Sequence, residues 1–160
     1  MAIYMNYDSL KIKGDATQGN HADWIGISTF QFGIGRSVNT PTGNAQNRET
    51  SEPIVSEVMV TKGLDSASTM LFQTACTSKE GKTITFDFCR SDDKGDAYLT
   101  IELSDAVISS FTTESSGDKP KEYLTLNFTK IDLKETTGNS KNGNNQPVKV
   151  CYDMATASKS

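Results

Sequence analysis

The 160-residue sequence predicts an all-β fold: a distorted barrel of two packed sheets, flanked by one α-helix and carrying a long extended loop. Three observations predict it. Apolar and polar residues alternate with a period of two in segment after segment, as in strands with one buried face. Only one stretch has helical spacing. Two of the alternating segments change parity partway, and a one-residue slip would expose half of each apolar set unless a bulge or strand bend intervenes. Bends of this kind close sheets into barrels.

Taken along the chain, Ile3 to Tyr7 reads as a first strand. Ile25 and Ile27 then give way to Phe30, Phe32 and Ile34, the first parity change, and those three side chains are expected to share the core face. The 39–53 segment is polar, lacks alternation and is too long for a routine hairpin turn, so it reads as a projecting loop with a role of its own. Val58 and Val60 mark another strand. The helix is expected from Ser66 to Lys79, with Asp65 or Ser66 as N-cap, closure near Gly81, and Ala67, Met70, Leu71, Ala75 and Cys76 along one side. Ile84, Phe86 and Phe88 share a face, as do Leu99, Ile101 and Leu103. Ser115 to Pro120 reads as a hairpin connection leading to Leu124, Leu126 and Phe128. Phe128 then gives way to Ile131 and Leu133, the second parity change. The 136–147 segment is rich in Gly, Asn, Ser and Lys and reads as a second, flexible loop. All four prolines, Pro41, Pro53, Pro120 and Pro147, fall outside the strand segments. No repeat or composition shift divides the chain, so residues 1–160 are expected to form a single domain.

Charged residues make up 22% of the chain and the net charge is −4, which argues against nucleic acid as a partner. No apolar run approaches the length of a membrane-spanning helix, and the first ten residues lack a cationic region followed by an apolar one, so membrane insertion and a secretory signal are not expected. Cys76, Cys89 and Cys151 have no CxxC spacing and read as structural thiols.

Sites for chemistry are scarce. His21 is the single histidine and has no second histidine or cysteine pair with which to build a metal centre. It reads as a loop residue. No GxSxG elbow surrounds a serine, and Gly33-Ile34-Gly35 lacks the third glycine of a dinucleotide fingerprint. Asp92-Asp93-Lys94-Gly95-Asp96 lacks the alternating acids and closing Glu of a calcium loop and reads as a hairpin tip. Asn127-Phe128-Thr129 matches a glycosylation sequon but falls inside an expected strand. No catalytic residue, cofactor or metal is therefore assigned, and the chain reads as a binding or structural protein rather than an enzyme.

Several segments resemble, in order, the haemolysin-coregulated protein family. Asp23-Trp24-Ile25 with Ser28-Thr29-Phe30-Gln31-Phe32-Gly33-Ile34-Gly35-Arg36 is similar to its DWI…SFxWGxGR segment, and Arg48-Glu49, Pro53 and Ser56-Glu57-Val58-Met59-Val60-Thr61-Lys62 to its RE…P…SEVxVTK. Leu71-Phe72, Leu124-Thr125-Leu126-Asn127-Phe128-Thr129-Lys130-Ile131 and Tyr152-Asp153-Met154 resemble its LF, LxLNFxKI and closing YDL motifs. Thr69 stands where a proline often precedes the LF pair, and Phe32 where tryptophan is usual.

The resemblance implies a β-barrel subunit that assembles into six-membered rings. Stacked rings would form the inner tube of the type VI secretion machinery in a Gram-negative bacterium, driven out by a contractile sheath, capped by a spike trimer and carrying small effector proteins. It implies export from the cytoplasm without a signal peptide. The alternative is a tail-tube protein of a contractile phage or prophage. Exposed sheet edges must be covered, and a closed cyclic interface covers them without open-ended growth in the ring plane. Arg48, Glu49, Ser51, Glu52 and Pro53 are the expected ring or stacking contacts, because the charges of Arg48 and Glu49 lie on a long extended segment able to reach a neighbouring copy. Alternation puts Gln31 and Gly33 opposite Phe30 and Phe32, and the resemblance of 29–36 to a lumen-lining segment makes Gln31 and Gly33 the expected lumen and cargo contacts.

Overall fold

The computed structural model describes residues 1–39, 42–43, 49–90, 95–136 and 148–159. In chain order the strands are β1 (Ala2–Tyr7), β2 (Ile25–Ile27), β3 (Thr29–Gln31), β4 (Ile34–Gly35), β5 (Val38–Asn39), β6 (Glu49–Thr50), β7 (Ile54–Val55) and β8 (Val58–Gly63). After the helix α1 (Ser68–Thr77) come β9 (Lys82–Cys89), β10 (Ala97–Glu114), β11 (Lys121–Asn127), β12 (Lys130–Glu135), β13 (Val148–Asp153) and β14 (Ser158–Lys159). All pairings among the described residues are antiparallel. This is the mainly-β architecture with one helix that the sequence predicts.

β10, 18 residues long, joins two limbs of sheet. Its first half lies between β9 and β12, and limb one runs β2-β1-β9-β10-β12-β13-β14. Its second half pairs with β11, and limb two runs β10-β11-β8-β3. Between the halves the register shifts after Leu103 and again after Ile108, and Asp105 takes a positive φ of 52°. Gly81 packs against this bend so closely that a Cβ there would lie 2.6 Å from the Asp105 Cα, which leaves glycine as the residue that fits.

The limbs face each other across one core. Met5, Phe86, Ile101 and Leu133 stand in register across limb one, and Phe30, Val60, Leu124 and Phe111 across limb two. Phe30 links the two, its ring 4.9 Å from Phe86 and 5.2 Å from Phe88. Edge-to-face aromatic pairs of this kind add about 0.5–1.5 kcal/mol to the burial itself.

The parity changes have a sharper cause than the bulge or bend expected of them. At Ser28 the chain leaves β2 in limb one for β3 in limb two, and the Ser28 amide donates to the Thr61 carbonyl at 2.7 Å. At Phe128 and Thr129 it returns from β11 to β12, held by the Thr129 amide on the Ser104 carbonyl at 3.2 Å. Each change of face is a corner between limbs.

Two local expectations are corrected. Phe30 and Phe32 are half-buried as expected, but Ile34 is 64% exposed, because the chain has left limb two and Ile34 pairs with Val55 outside the core. The helix is shorter than expected. It buries Ala67, Ser68 and Leu71, while Met70 and Cys76 are exposed. Asp65 supports its start, the Asp65 carboxylate accepting from the Ala67 amide and the Ser68 hydroxyl accepting from the Asp65 amide, both at 3.0 Å. His21 lies in the turn before β2, as expected of a loop residue, and is buried there. The Ser115–Pro120 hairpin connection is present, with Gly117 at a φ of 101°. The Asp92–Asp96 tip, except Gly95 and Asp96, and the 137–147 loop lie outside the described residues.

Candidate assembly surfaces

The projecting segment is an arm with paired flanks. β4 pairs with β7 and β5 with β6, so the two sides of the arm run antiparallel from Gly33 to Ser56. Side chains reinforce the ladder. The Ser51 hydroxyl accepts from the Ser37 amide at 3.0 Å, Arg36 Nε donates to the Ser51 carbonyl at 2.8 Å, and the Ser56 hydroxyl accepts from the Gly33 amide at 2.8 Å. Of the expected interface residues, Ser51 therefore ties the arm together, Glu52 is exposed and Pro53 half-buried. Glu49 lies in β6 opposite Asn39, and Arg48 lies outside the described residues.

Where the arm meets limb one it leaves an apolar cleft of about 390 Å³, lined by Phe32, Ile34, Val55, Leu133, Val148 and Val150 among others. Two of its lining side chains, Ile34 (64%) and Val148 (60%), are among the most exposed large apolar side chains described. Scattered single apolar residues need no cause, but a concentration around one cleft marks a contact surface.

Outside limb two, Gln31 is exposed in β3 opposite Met59, and Gly33 is exposed just beyond. The structure thus places Gln31 on the outer face and brings Thr29, Met59, Thr61, Tyr123 and Thr125 to the same face by register. One carboxylate on this face, Glu57, is held by the Ser109 hydroxyl at 3.1 Å and the Asn127 amide at 3.2 Å.

The outer face of limb one is charged instead. Asp87, Glu102, Asp132, Lys134 and Lys149 come together by register. Asp132 is buried, and desolvation alone would push its carboxyl up. Hydrogen bonds from Cys151 and Lys149 and the charges of Lys149 and Lys130 outweigh that and hold it below its ordinary value.

Two buried polar clusters were not anticipated, one on the inner side of limb two and one on the outer side of limb one. Under the start of α1, Lys62 Nζ contacts Glu122 Oε2 at 2.6 Å, Asp65 Oδ1 at 2.7 Å and the Ser68 hydroxyl at 3.0 Å. Beside β1, His21 Nε2 meets Asp87 Oδ2 at 2.9 Å, its ring stacks on Tyr4 at 4.9 Å, and Cys89 Sγ lies 3.7 Å away. The first was legible: Lys62 continues the parity of Val58 and Val60, and Glu122 that of Leu124 and Leu126, so alternation alone sends both inward. The second was not, since the turn carrying His21 has no period to read. Among the described residues no group of three His, Cys, Asp or Glu side chains is placed to hold a metal ion.

Residues 4–134 match the sequence profile of the family described as type VI secretion system effector, Hcp. No curated protein matches the sequence. Among solved structures, a type six secretion system protein superposes with a TM-score of 0.87 at 22% identity, covering 99% of each chain. Hcp1 from Salmonella typhimurium gives 0.79 at 15% identity, covering 99% of this chain and 98% of its own. A type VI secretion system effector from Yersinia pestis gives 0.74 at 20%, covering 94% and 98%. At these identities the likeness establishes a shared fold.

Proposed function

The chain belongs to the Hcp family of type VI secretion tube proteins, and from that premise we propose that it is a structural subunit that closes into six-membered rings, stacks into the inner tube and is secreted with small effectors in its lumen. The observation that carries the reading is the apolar cleft at the root of the arm. Lining side chains as exposed as Ile34 and Val148 gain about 25 cal/mol for each Å² of apolar surface that a neighbouring copy covers. A heterologous contact repeated around a closed ring covers every such cleft once.

In this arrangement the arm, with Arg48, Glu49, Ser51, Glu52 and Pro53, reaches the adjacent copy or the next ring. The outer face of limb two lines the lumen, with Gln31 and Gly33 toward cargo. A face of Thr, Gln, Met and Tyr side chains with its carboxylates Glu57 and Glu114 already bonded lets a protein slide without trapping it electrostatically. The charged face of limb one is then left for the tube exterior, where a contractile sheath would bind, and the spike trimer would cap the last ring. Among the described residues no helix is long and apolar enough to cross a membrane.

Light scattering coupled to size exclusion, with negative-stain microscopy, tests the reading. The expected result is a particle of hexamer mass that appears as a ring. A monodisperse monomer at neutral pH, moderate salt and tens of micromolar subunit overturns it.

A further inference from the structure

The cluster under α1 holds an amine and two carboxyl groups in one dry site. Lys62 and Glu122 are directly opposed across β8 and β11, 0% and 2% exposed, and their polar atoms are 2.6 Å apart. Asp65 Oδ1 touches the same nitrogen at 2.7 Å from the other side, and the Ser68 hydroxyl donates to Glu122 Oε2 at 2.8 Å. We propose that this is a self-modification site, at which Lys62 and Glu122 condense to an amide that cross-links β8 to β11, with Asp65 as proton shuttle.

Each component of the reaction is in place. A proton passes along the Lys62–Glu122 hydrogen bond, leaving a neutral amine beside a neutral carboxylic acid. The lone pair on Nζ then attacks the Glu122 carboxyl carbon, with Ser68 donating to Oε2, the oxygen that received the proton and is to leave. The Asp65 carboxylate takes a proton from Nζ and delivers it to the departing hydroxyl. The bond from carbon to that hydroxyl breaks, one water leaves, and Asp65 returns to its starting state. The ammonium and carboxylate enter and an amide and water come out, with no change in net charge and no co-reactant.

Two physical effects favour the amide. In water an amine and an acid stay apart because both ionise and both ions are well hydrated. Here that hydration is absent, and condensation removes a charge pair whose desolvation costs several kcal/mol per ion. The strand register also replaces a bimolecular encounter with a fixed one, and well-oriented intramolecular reactions reach effective molarities of about 10⁵–10⁸ M.

Intact-mass and peptide mass spectrometry of the purified full chain at neutral pH test the proposal. The expected wild-type mass is the sequence mass less one water, with no tryptic cleavage after Lys62 and a single species joining the Lys62 and Glu122 peptides. Asp65→Asn is expected to keep the wild-type circular dichroism while showing the full sequence mass and normal cleavage after Lys62. If that variant does not fold, the wild-type spectrum decides alone. A folded wild-type protein that keeps its full sequence mass after days of incubation, or whose water loss maps to other residues, overturns the cross-link. A folded Asp65→Asn variant that still loses water at Lys62 overturns the shuttle.

Discussion

The two limbs present similar inner surfaces and dissimilar outer ones. Inside, both carry rows of aliphatic and aromatic side chains in register, and the rows meet at Phe30, Phe86 and Phe88. Outside, limb one gathers Asp87, Glu102, Asp132, Lys134 and Lys149, whereas limb two offers Gln31, Met59, Thr61, Tyr123 and Thr125. The limbs also differ in the polar groups they bury. Limb two seals a lysine amine and two carboxyl groups under the helix, while limb one tucks an imidazole between a tyrosine ring and an aspartate. The inner face fixes how the chain folds, and the outer face is where the two limbs can have different partners.

The largest effect is expected from breaking the limb-two cluster. Glu122→Leu leaves Lys62 with a single carboxylate in a dry site and is expected to cost about 3–5 kcal/mol, read by chemical denaturation. The double variant Lys62→Met/Glu122→Leu, which removes charge and counter-charge together but also lacks the proposed amide, is expected to be more stable than Glu122→Leu. If the double variant is as unstable as the single one, the cost lies in packing or in the lost cross-link and not in the stranded charge.

Next in size is the contact between limbs. Phe30→Ala removes a half-buried ring that touches Phe86 and Phe88, and about 2–3 kcal/mol is expected, toward the low side of Phe→Ala losses because the site is not fully closed. A loss below about 0.5 kcal/mol would show that the limbs are held together elsewhere.

On the outer face of limb two, Gln31→Arg is expected to change stability by less than about 0.5 kcal/mol and to leave rings intact on negative-stain grids. Its effect should appear as reduced co-purification of small effectors. Unaltered cargo recovery would remove Gln31 from the lumen.

A further small effect sharpens the charged face of limb one. Because the folded-state pKa of Asp132 is depressed, its contribution is complete above the ordinary value of 3.8 and is lost as the pH falls below it toward the folded value. Asp132→Asn is therefore expected to lower stability at pH 6 by less than about 1 kcal/mol and to flatten the stability curve below pH 4, the mutant and parent converging in acid. A difference that persists at pH 2 would point to a steric role instead.

Strand periodicity made most of this legible, since a buried face repeats every second residue whatever lies around it. That is why Ile84, Phe86 and Phe88 and their partners could be placed without a structure. The same rule carried the information that Lys62 and Glu122 point inward, obscured by the habit of assigning charge to the surface. What periodicity could not supply was direction in space. The breaks at Ser28 and Phe128 look alike whether a strand bulges or changes sheet, and the pairing of the arm flanks depends on residues far apart in sequence. The site at the arm root escaped for a related reason: Ile34 keeps the parity of Phe30 and Phe32 but has already left the surface that gave that parity meaning.

The long strand β10 also bears on how the chain acquires its structure. β9, β10, β11 and β12 are sequence neighbours joined by short connections, so their pairings close small loops and can form early. β1 is in a different position, because its partner β9 lies far downstream, with Ile3 opposite Phe88. On the ribosome, β1 can pair with β2 soon after both emerge, but its other edge stays open until β9 appears, and β3 must likewise wait for β8. The order of synthesis therefore leaves one edge of the β1–β2 pair and the whole of β3 without hydrogen-bond partners until the middle of the chain has appeared, and the nascent protein is most open to aggregation during that interval.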